Sequence, residues 1–155
     1  MKNILIFQTA PDEILERLFY ELHGQGCQLY CYVQSGYIEK CNKAYKEKYK
    51  HIIFVDSKRK DFQSDSLSLQ QLSGIYFDEV YVPSSSPYFR NYENVFFFIE
   101  KLDYRQKILY DCYGNKRCYQ AKSRVQKKLQ YIESICLFNL YSCLYRAKNM
   151  LRGRE

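Results

Sequence analysis

Hydroxyl, amide and carboxylate side chains stand directly after five short apolar segments of the chain, where they are well suited to bind a ligand. Hydroxyls and amides can hydrogen-bond a sugar or a phosphate. If the segments are parallel strands, these side chains share the edge at which open α/β sheets bind ligands. Helix caps and turns use the same residue types, which is the alternative interpretation. The candidates are Thr9, Ser35, Asp56, Ser84, Ser85, Ser86 and Asn115.

Several motifs of well-defined chemistry are missing from the sequence. No Gly-x-Gly-x-x-Gly follows an apolar segment, and neither Gly-x-x-x-x-Gly-Lys-Ser/Thr nor Gly-x-Ser-x-Gly occurs. Asp56 stands where response-regulator receiver domains carry their phosphoacceptor acid. The acids after the first strand and the Lys after the fifth, which that phosphotransfer needs, are absent. The sequence therefore argues against dinucleotide binding, P-loop hydrolysis and phosphotransfer at Asp56.

Histidine and cysteine usage predicts neither a metal site nor a disulfide framework. His23 and His51 are the only histidines, and neither flanks a cysteine cluster. The seven cysteines are scattered and odd in number, which is typical of free thiols in a reducing compartment. We therefore predict that the protein holds no metal and no cofactor.

Five strand-like segments set the architecture. They are short, continuous and rich in β-branched or aromatic residues, which is typical of strands buried on both faces of a parallel sheet. They recur every 23 to 28 residues, at 4–7, 29–33, 52–55, 80–82 and 108–110. Helical patterns fill the intervals, at 9–24 with Thr9 as the cap, at 38–49, at 67–72 and at 92–102.

This alternation predicts right-handed βαβ crossovers. We expect residues 1–115 to form a three-layer, Rossmann-like α/β domain in which helices cover both faces of a five-stranded parallel sheet.

The net positive charge of the chain lies in residues 116–155. This segment carries ten Lys or Arg and two Glu, a net charge of +8, whereas residues 1–115 have a net charge of −1. Apolar residues spaced by threes and fours predict a long basic amphipathic helix, apolar nearly all round over 131–145. The helix can pack on its own domain, dock a second lobe or a second copy through residues 125–151, or lie on an anionic membrane surface.

The N-terminal residues and the hydropathy predict a cytoplasmic protein. Only four consecutive apolar residues stand between Asn3 and Gln8, which is too short for a signal-peptide core, and no apolar run is long enough to span a bilayer. The basic tail adds peripheral attachment to the inner membrane face as an alternative location.

The opening of the chain, residues 3–15, resembles that of the heptosyltransferase-type, two-lobed glycosyltransferases. The segment Phe77-Asp78-Glu79-Val80-Tyr81-Val82-Pro83 also resembles part of such lobes. The resemblance implies an N-terminal acceptor lobe in which Asp12 is the catalytic base on the acceptor hydroxyl, although Pro11 stands where that family has Gly. The donor lobe would be a separate chain or lost, because 155 residues are too few for both lobes.

Three functional hypotheses follow. The first is a single lobe related to glycosyltransferases of cell-surface polysaccharide synthesis, acting with a second lobe or partner. The second is a non-catalytic binding or scaffold domain that docks a partner or an anionic membrane through its C-terminal helix. The third is nucleic-acid binding by the basic, Tyr-containing tail, which we rank last because the aromatic residues fall in the apolar belt and the charge lies at the helix ends.

Overall fold

The structure, a computed structural model, describes residues 1–58, 62 and 70–120. Its three helices of defined bounds are α1 (Asp12–Leu22), α2 (Ile38–Tyr45) and α3 (Glu93–Ile99). Its strands are β1 (Lys2–Phe7), β2 (Cys27–Val33), β3 (Ile52–Asp56), β4 (Tyr76–Pro83), β5 (Asp103–Tyr110) and β6 (Lys116–Gln120). No helix of this described part combines the length and the apolar character needed to cross a bilayer.

The strands form one open sheet in the order β3-β2-β1-β4-β5-β6. The first five strands run parallel, with Ile4 of β1 opposite Leu29 of β2 on one side and Glu79 of β4 on the other. The predicted α/β architecture with a parallel sheet is therefore confirmed. The count of five strands is wrong, because β6 adds an antiparallel strand beside β5.

The sixth strand occupies residues that the sequence assigned to the helical tail. All five side chains of β6 are exposed, so the strand carries none of the apolar signal by which the other strands were recognised. Residues 121–155 lie outside the described residues, and the amphipathic helix over 125–151 stays a prediction.

Successive residues of β1 point to opposite faces of the sheet and enter two separate cores. On the α1 face, Ile4 and Ile6 belong to a core that includes buried residues of α1 and α2. On the α3 face, Leu5 and Phe7 belong to a core that includes buried residues of α3. Both faces of the central strand are thus covered by helices, as its continuous apolar sequence predicted.

The α1 helix forms because its apolar residues recur every three or four positions and meet the sheet on one side. Leu15, Leu18, Phe19 and Leu22 are all buried there. Asp12 and Glu13 lie in the first turn, where acidic side chains favour the positive end of the helix dipole. The helix is capped by Pro11 and not by Thr9, so the predicted cap is wrong.

The α3 helix is short and held by aromatic packing. Phe98 is fully buried, and its ring lies 5.6 Å from that of Phe7 and 5.2 Å from that of Tyr32. Edge-to-face and tilted contacts of this kind add to the stabilisation from burial. Both α2 and α3 are shorter than the sequence predicted. Of the helix predicted at 67–72, residues 70–72 are helical and the remainder lies outside the described residues.

Candidate functional site

A cleft of about 400 Å³ lies at the carboxyl edge of the sheet, on the α3 face. The β1–α1 connection forms one wall and the start of α3 forms the other. The lining residues are Gln8, Thr9, Ala10, Pro11, Gln34, Phe62, Asn91, Tyr92, Asn94 and Val95. The volume falls within the range of pockets that hold a small molecule.

The cleft lies where the strand order reverses. From β1 the chain steps to β2 and β3 on one side, and it then crosses back to β4 on the other side of β1. The loops after β1 and β4 therefore leave the sheet toward opposite sides and open a crevice between them, where open α/β sheets bind their ligands.

The wall formed by the β1–α1 connection is fixed by two side-chain hydrogen bonds. The Thr9 hydroxyl donates to the backbone oxygen of Pro83, at 2.6 Å, and so joins the loop to the end of β4. The Tyr92 hydroxyl donates to the backbone oxygen of Thr9, at 3.2 Å. Both contacts are made at Thr9, so they fix the loop at the residue that follows Gln8.

Gln8 carries the clearest sign of a ligand. Its backbone N–H donates to Tyr32 O, at 2.9 Å, and continues the register of β1 with β2. Its side-chain oxygen Oε1 is buried and accepts no hydrogen bond from the described residues. A buried acceptor without a donor is costly, and such groups are found where a ligand or a water completes the bonding.

Asn91 and Asn94 contribute further amides from the opposite wall. Asn91 adopts a left-handed backbone conformation with a φ of 65°, which Asn tolerates better than most residues. Each amide side chain offers both a donor group and an acceptor oxygen. Together with Gln8 and Gln34, these residues make the cleft rich in uncharged hydrogen-bonding groups.

No charged side chain lines the cleft among the described residues. Its polar groups are amides and hydroxyls, and its apolar surface comes from Pro11, Phe62 and Val95. Among the described lining residues, no Lys or Arg is present to neutralise a phosphate. The lining suits a neutral ligand that has hydroxyl or amide groups on one side and an apolar face on the other.

Asp12, the predicted base, does not line the cleft. Its carboxylate accepts a hydrogen bond from Lys40 of α2, at 2.7 Å, and about half of the side chain is exposed. The hydrogen bond with Asp12 is the largest cause of the raised pKa of Lys40, so the Lys40 amine stays protonated beside the Asp12 carboxylate. Asp12 therefore joins α1 to α2 on the α1 face.

Ser35 and Asp56 lie at the predicted edge but do not reach the cleft. Asp56 Oδ1 accepts a hydrogen bond from the backbone N–H of Lys58, at 2.8 Å, in the turn that follows β3. The turn-forming interpretation thus accounts for the hydrogen bond of Asp56.

The Ser84–Ser86 loop also folds on itself. Ser84 is fully buried, and its hydroxyl accepts the backbone N–H of Ser86, at 3.1 Å. Ser86 accepts the backbone N–H of Tyr88 in the same way, while Ser85 is exposed. None of the three lines the cleft.

Asn115 belongs to a tight turn that is organised by the buried Asp111. The Asp111 carboxylate accepts hydrogen bonds from the backbone N–H groups of Tyr113 and Asn115 and from the Asn115 side chain, at 2.9 to 3.0 Å. Burial opposes ionisation, but these hydrogen bonds, assisted by the charge of Arg117, outweigh it and lower the pKa of Asp111. Asn115 thus shapes the β5–β6 turn and does not line the cleft.

A second polar cluster joins α1 to the β5 and β6 strands. Arg17 Nε donates to the Tyr110 hydroxyl, at 2.8 Å, which in turn donates to Glu21, at 2.6 Å. Lys116 pairs with the other oxygen of Glu21, at 2.9 Å. Burial, with the Glu21 acceptor, raises the pKa of Tyr110 to about 12. Burial would raise the pKa of Glu21, but the contacts with Tyr110, Lys116 and Arg17 lower it.

Of the predicted site residues, only Thr9 lines the cleft. Gln8 and Gln34 also follow predicted strands, so the rule that ligands bind at the carboxyl ends of parallel strands applies to them too. An amide side chain at such a position is equally typical of a turn, and the sequence did not distinguish the two roles. Asn91 and Asn94 follow no strand, so the strand-end rule could not find them. The spacing Asn-x-x-Asn just before an apolar helical pattern was the only sequence signal for this wall.

The described residues offer no alternative centre of metal or thiol chemistry. In that part of the chain, no three His, Cys, Asp or Glu side chains converge on one point. The described cysteines are free, and burial raises the pKa of Cys31 and, less strongly, of Cys41. The amide-lined cleft is thus the feature from which a function can be inferred.

Comparison of the chain with protein families, curated proteins and solved structures found no match in any of the three.

Proposed function

We propose that this protein is a single α/β lobe that binds a neutral saccharide in the cleft between Gln8 and Asn94. It acts in cell-surface polysaccharide synthesis together with a second lobe or partner that carries the sugar donor. The proposal joins the resemblance of residues 3–15 to acceptor lobes of glycosyltransferases with the chemistry of the cleft lining.

The unpaired oxygen of Gln8 is the single observation that carries the proposal. Gln8 Oε1 is buried and has no donor among the described residues, so the side chain would have to turn toward the cleft for a saccharide hydroxyl to donate to it. The hydroxyl oxygen can accept from an amide of the opposite wall. The apolar surface of Phe62 and Val95 suits the C–H face of a sugar ring. A charged ligand is disfavoured because the described lining residues offer no opposite charge.

Catalysis by this lobe rests on Asp12, which stays a candidate base. The carboxylate is paired with Lys40 at the start of α1, beside the loop that forms the cleft wall. To accept a proton from an acceptor hydroxyl, Asp12 would have to leave Lys40 and turn toward the cleft. Exposed ion pairs are weak, so the free-energy cost of separating Asp12 from Lys40 is small.

A second candidate function is a non-catalytic binding domain. It is favoured by one observation: no acid or base lines the cleft among the described residues. In that case the lobe holds a saccharide or positions it for a partner, and Asp12 serves only to join α1 to α2. The two candidates share the ligand and differ in the role of Asp12.

Ligand-observed NMR and calorimetry with neutral mono- and oligosaccharides test the shared claim. We expect a neutral saccharide to bind, and the Gln8→Leu variant to bind it at least about tenfold more weakly, because one hydrogen bond to a polar ligand is lost. Gln25→Ala is the matched control, since it removes an exposed amide between α1 and β2, at the opposite edge of the sheet. Preferential binding of a nucleoside diphosphate, unchanged by Gln8→Leu, would contradict the proposal.

A further inference from the structure

Among the described residues, β6 is an edge strand of the sheet. It lies last in the strand order, and within the described residues only β5 pairs with it. All five of its side chains are exposed, whereas β3, the strand at the other edge, exposes only Ile53. An edge strand of this kind can pair with another strand of the same or another chain.

The backbone of β6 has a defined outward set of hydrogen-bonding groups. Asp111 N donates to Asn115 O across the turn, so these two residues are a hydrogen-bonded pair. Along two antiparallel strands, hydrogen-bonded pairs of residues alternate with non-hydrogen-bonded pairs. The register Leu109↔Arg117 and Lys107↔Tyr119 continues this alternation, so the N–H and C=O groups of Arg117 and Tyr119 face β5. Those of Lys116, Cys118 and Gln120 therefore point away from the sheet.

The side chains of β6 are self-complementary when two copies pair antiparallel about Cys118. In that register Lys116 lies opposite Gln120 of the second copy, and Arg117 lies opposite Tyr119. A cation beside an aromatic ring is attracted to it, and no like charges meet. The outward backbone groups of three residues then form about six hydrogen bonds between the copies.

Shifted registers are less favourable. A shift of the two-fold axis by one residue toward the N-terminus places Arg117 opposite Arg117, and a second step places Lys116 opposite Lys116. Like charges directly opposite each other destabilise a strand pair. A shift toward the C-terminus leaves part of β6 beyond the partner strand. Only pairing about Cys118 uses all five residues without a repulsive pair.

We propose that a second copy of this chain docks on β6 by antiparallel strand pairing about Cys118. Two sheets then join into one across a two-fold axis, which is the symmetry that a self-complementary edge requires. The interface is short, so the dimer forms in a concentration-dependent equilibrium with the monomer.

Cross-linking measures the register directly. In a background with Ser at Cys112, Cys136 and Cys143, a short bis-maleimide should join the Cys118 thiols of two copies, whose Cα atoms lie about 5.5 Å apart in such a pair. The matched control adds Cys118→Ser and Gln120→Cys. Residues 120 of the two copies are offset by four positions, about 13 Å, so the control should give little cross-linked dimer. Equal cross-linking of both proteins, or of neither, would overturn the proposal.

Sedimentation analysis of the full chain gives an independent measurement. We expect the 18.8 kDa monomer to shift toward twice its mass as concentration rises. Tyr119→Lys places a cation opposite Arg117 of the second copy at both symmetric positions, and it should raise the dimer dissociation constant about tenfold or more. Tyr119→Phe keeps the ring and should dimerise like the native chain. A monomer at every concentration, or a dimer unaffected by Tyr119→Lys, would contradict the proposed interface.

Discussion

At the scale of single residues, the polar side chains at the carboxyl edge divide into two groups. Asp56, Ser84, Ser86 and Asp111 satisfy backbone N–H groups in their own turns, and their hydrogen bonds are internal to the fold. Gln8 differs because its buried oxygen has no partner among the described residues. A turn former and a ligand-binding residue thus look alike in sequence and differ in what their oxygens accept.

This difference predicts how Gln8 affects stability. Replacing Gln8 with Leu removes a buried acceptor that has no hydrogen-bond donor among the described residues, so the variant should be as stable as the native chain or more stable, by up to about 1–2 kcal/mol. The measurement is urea unfolding of both proteins without ligand. A loss of stability of the same size would show that Gln8 has a structural partner, and it would remove the basis for the proposed saccharide site.

Substitution of Asp111 should instead lower the free energy of unfolding, by an amount that depends on pH. Its native pKa lies below the value of an unfolded aspartate, about 3.9, so its ionised form stabilises the fold at neutral pH. That contribution falls as the pH drops below about 5 toward the native pKa. Asp111→Asn should cost about 1–3 kcal/mol at pH 7, because an amide N–H₂ replaces an acceptor that faces Asn115.

Urea unfolding of Asp111→Asn at pH 7, 5 and 3 checks this expectation. The difference from the native chain should shrink as the pH falls, since the native carboxyl becomes protonated. Asp103→Asn changes an exposed acid at the start of β5 and serves as the control. A difference that is constant across this pH range would contradict the assigned role of the ionised Asp111.

At the scale of elements, the sequence located the five parallel strands because their signal comes from burial on both faces. The observed strands contain the predicted runs and extend them at one or both ends. β6 was missed because its pattern, Lys-Arg-Cys-Tyr-Gln, has no buried face to mark it. Thr9 was misassigned as a cap because its hydroxyl bonds Pro83, which is 74 residues away, and no local pattern reports such a contact.

The α3 helix yields a prediction about packing, because two adjacent Phe residues have opposite environments. Phe98 is fully buried and Phe97 is 63% exposed. Phe98→Ala should cost about 3–5 kcal/mol through lost burial and a cavity. Phe97→Ala should cost below about 1 kcal/mol, mainly from its contact with Lys101.

Thermal and urea unfolding of the two variants provide the test. Because a loss of 3–5 kcal/mol approaches the total stability of many domains, Phe98→Leu provides a milder substitution, which should cost about 1–3 kcal/mol. α3 also forms one wall of the cleft, so the Phe98 variants should weaken saccharide binding as well. Equal effects of the Phe97 and Phe98 substitutions would contradict the described packing of α3.

At the scale of the whole molecule, the distribution of charge along the chain is the main feature that has no role in the proposed saccharide site. Residues 116–155 have a net charge of +8, and the lobe that precedes them is close to neutral. Basic segments of this kind are attracted to anionic lipid by about 1 kcal/mol for each Lys or Arg near the surface.

This attraction predicts binding of the full chain to vesicles that contain phosphatidylserine, weakened by salt because counterions screen the charges. Replacing Lys122, Lys127 and Lys128 with Gln should weaken binding about tenfold to a hundredfold.

The matched control replaces three exposed lysines of the α2 region, Lys43, Lys46 and Lys50, and changes the net charge equally. If both triple variants bound equally, or if neutral vesicles bound as well as anionic ones, the C-terminal segment would not be a specific membrane contact. A vesicle co-sedimentation series from low to physiological salt separates these outcomes, because only a localised cluster of cations gives both a salt dependence and a difference between the two variants.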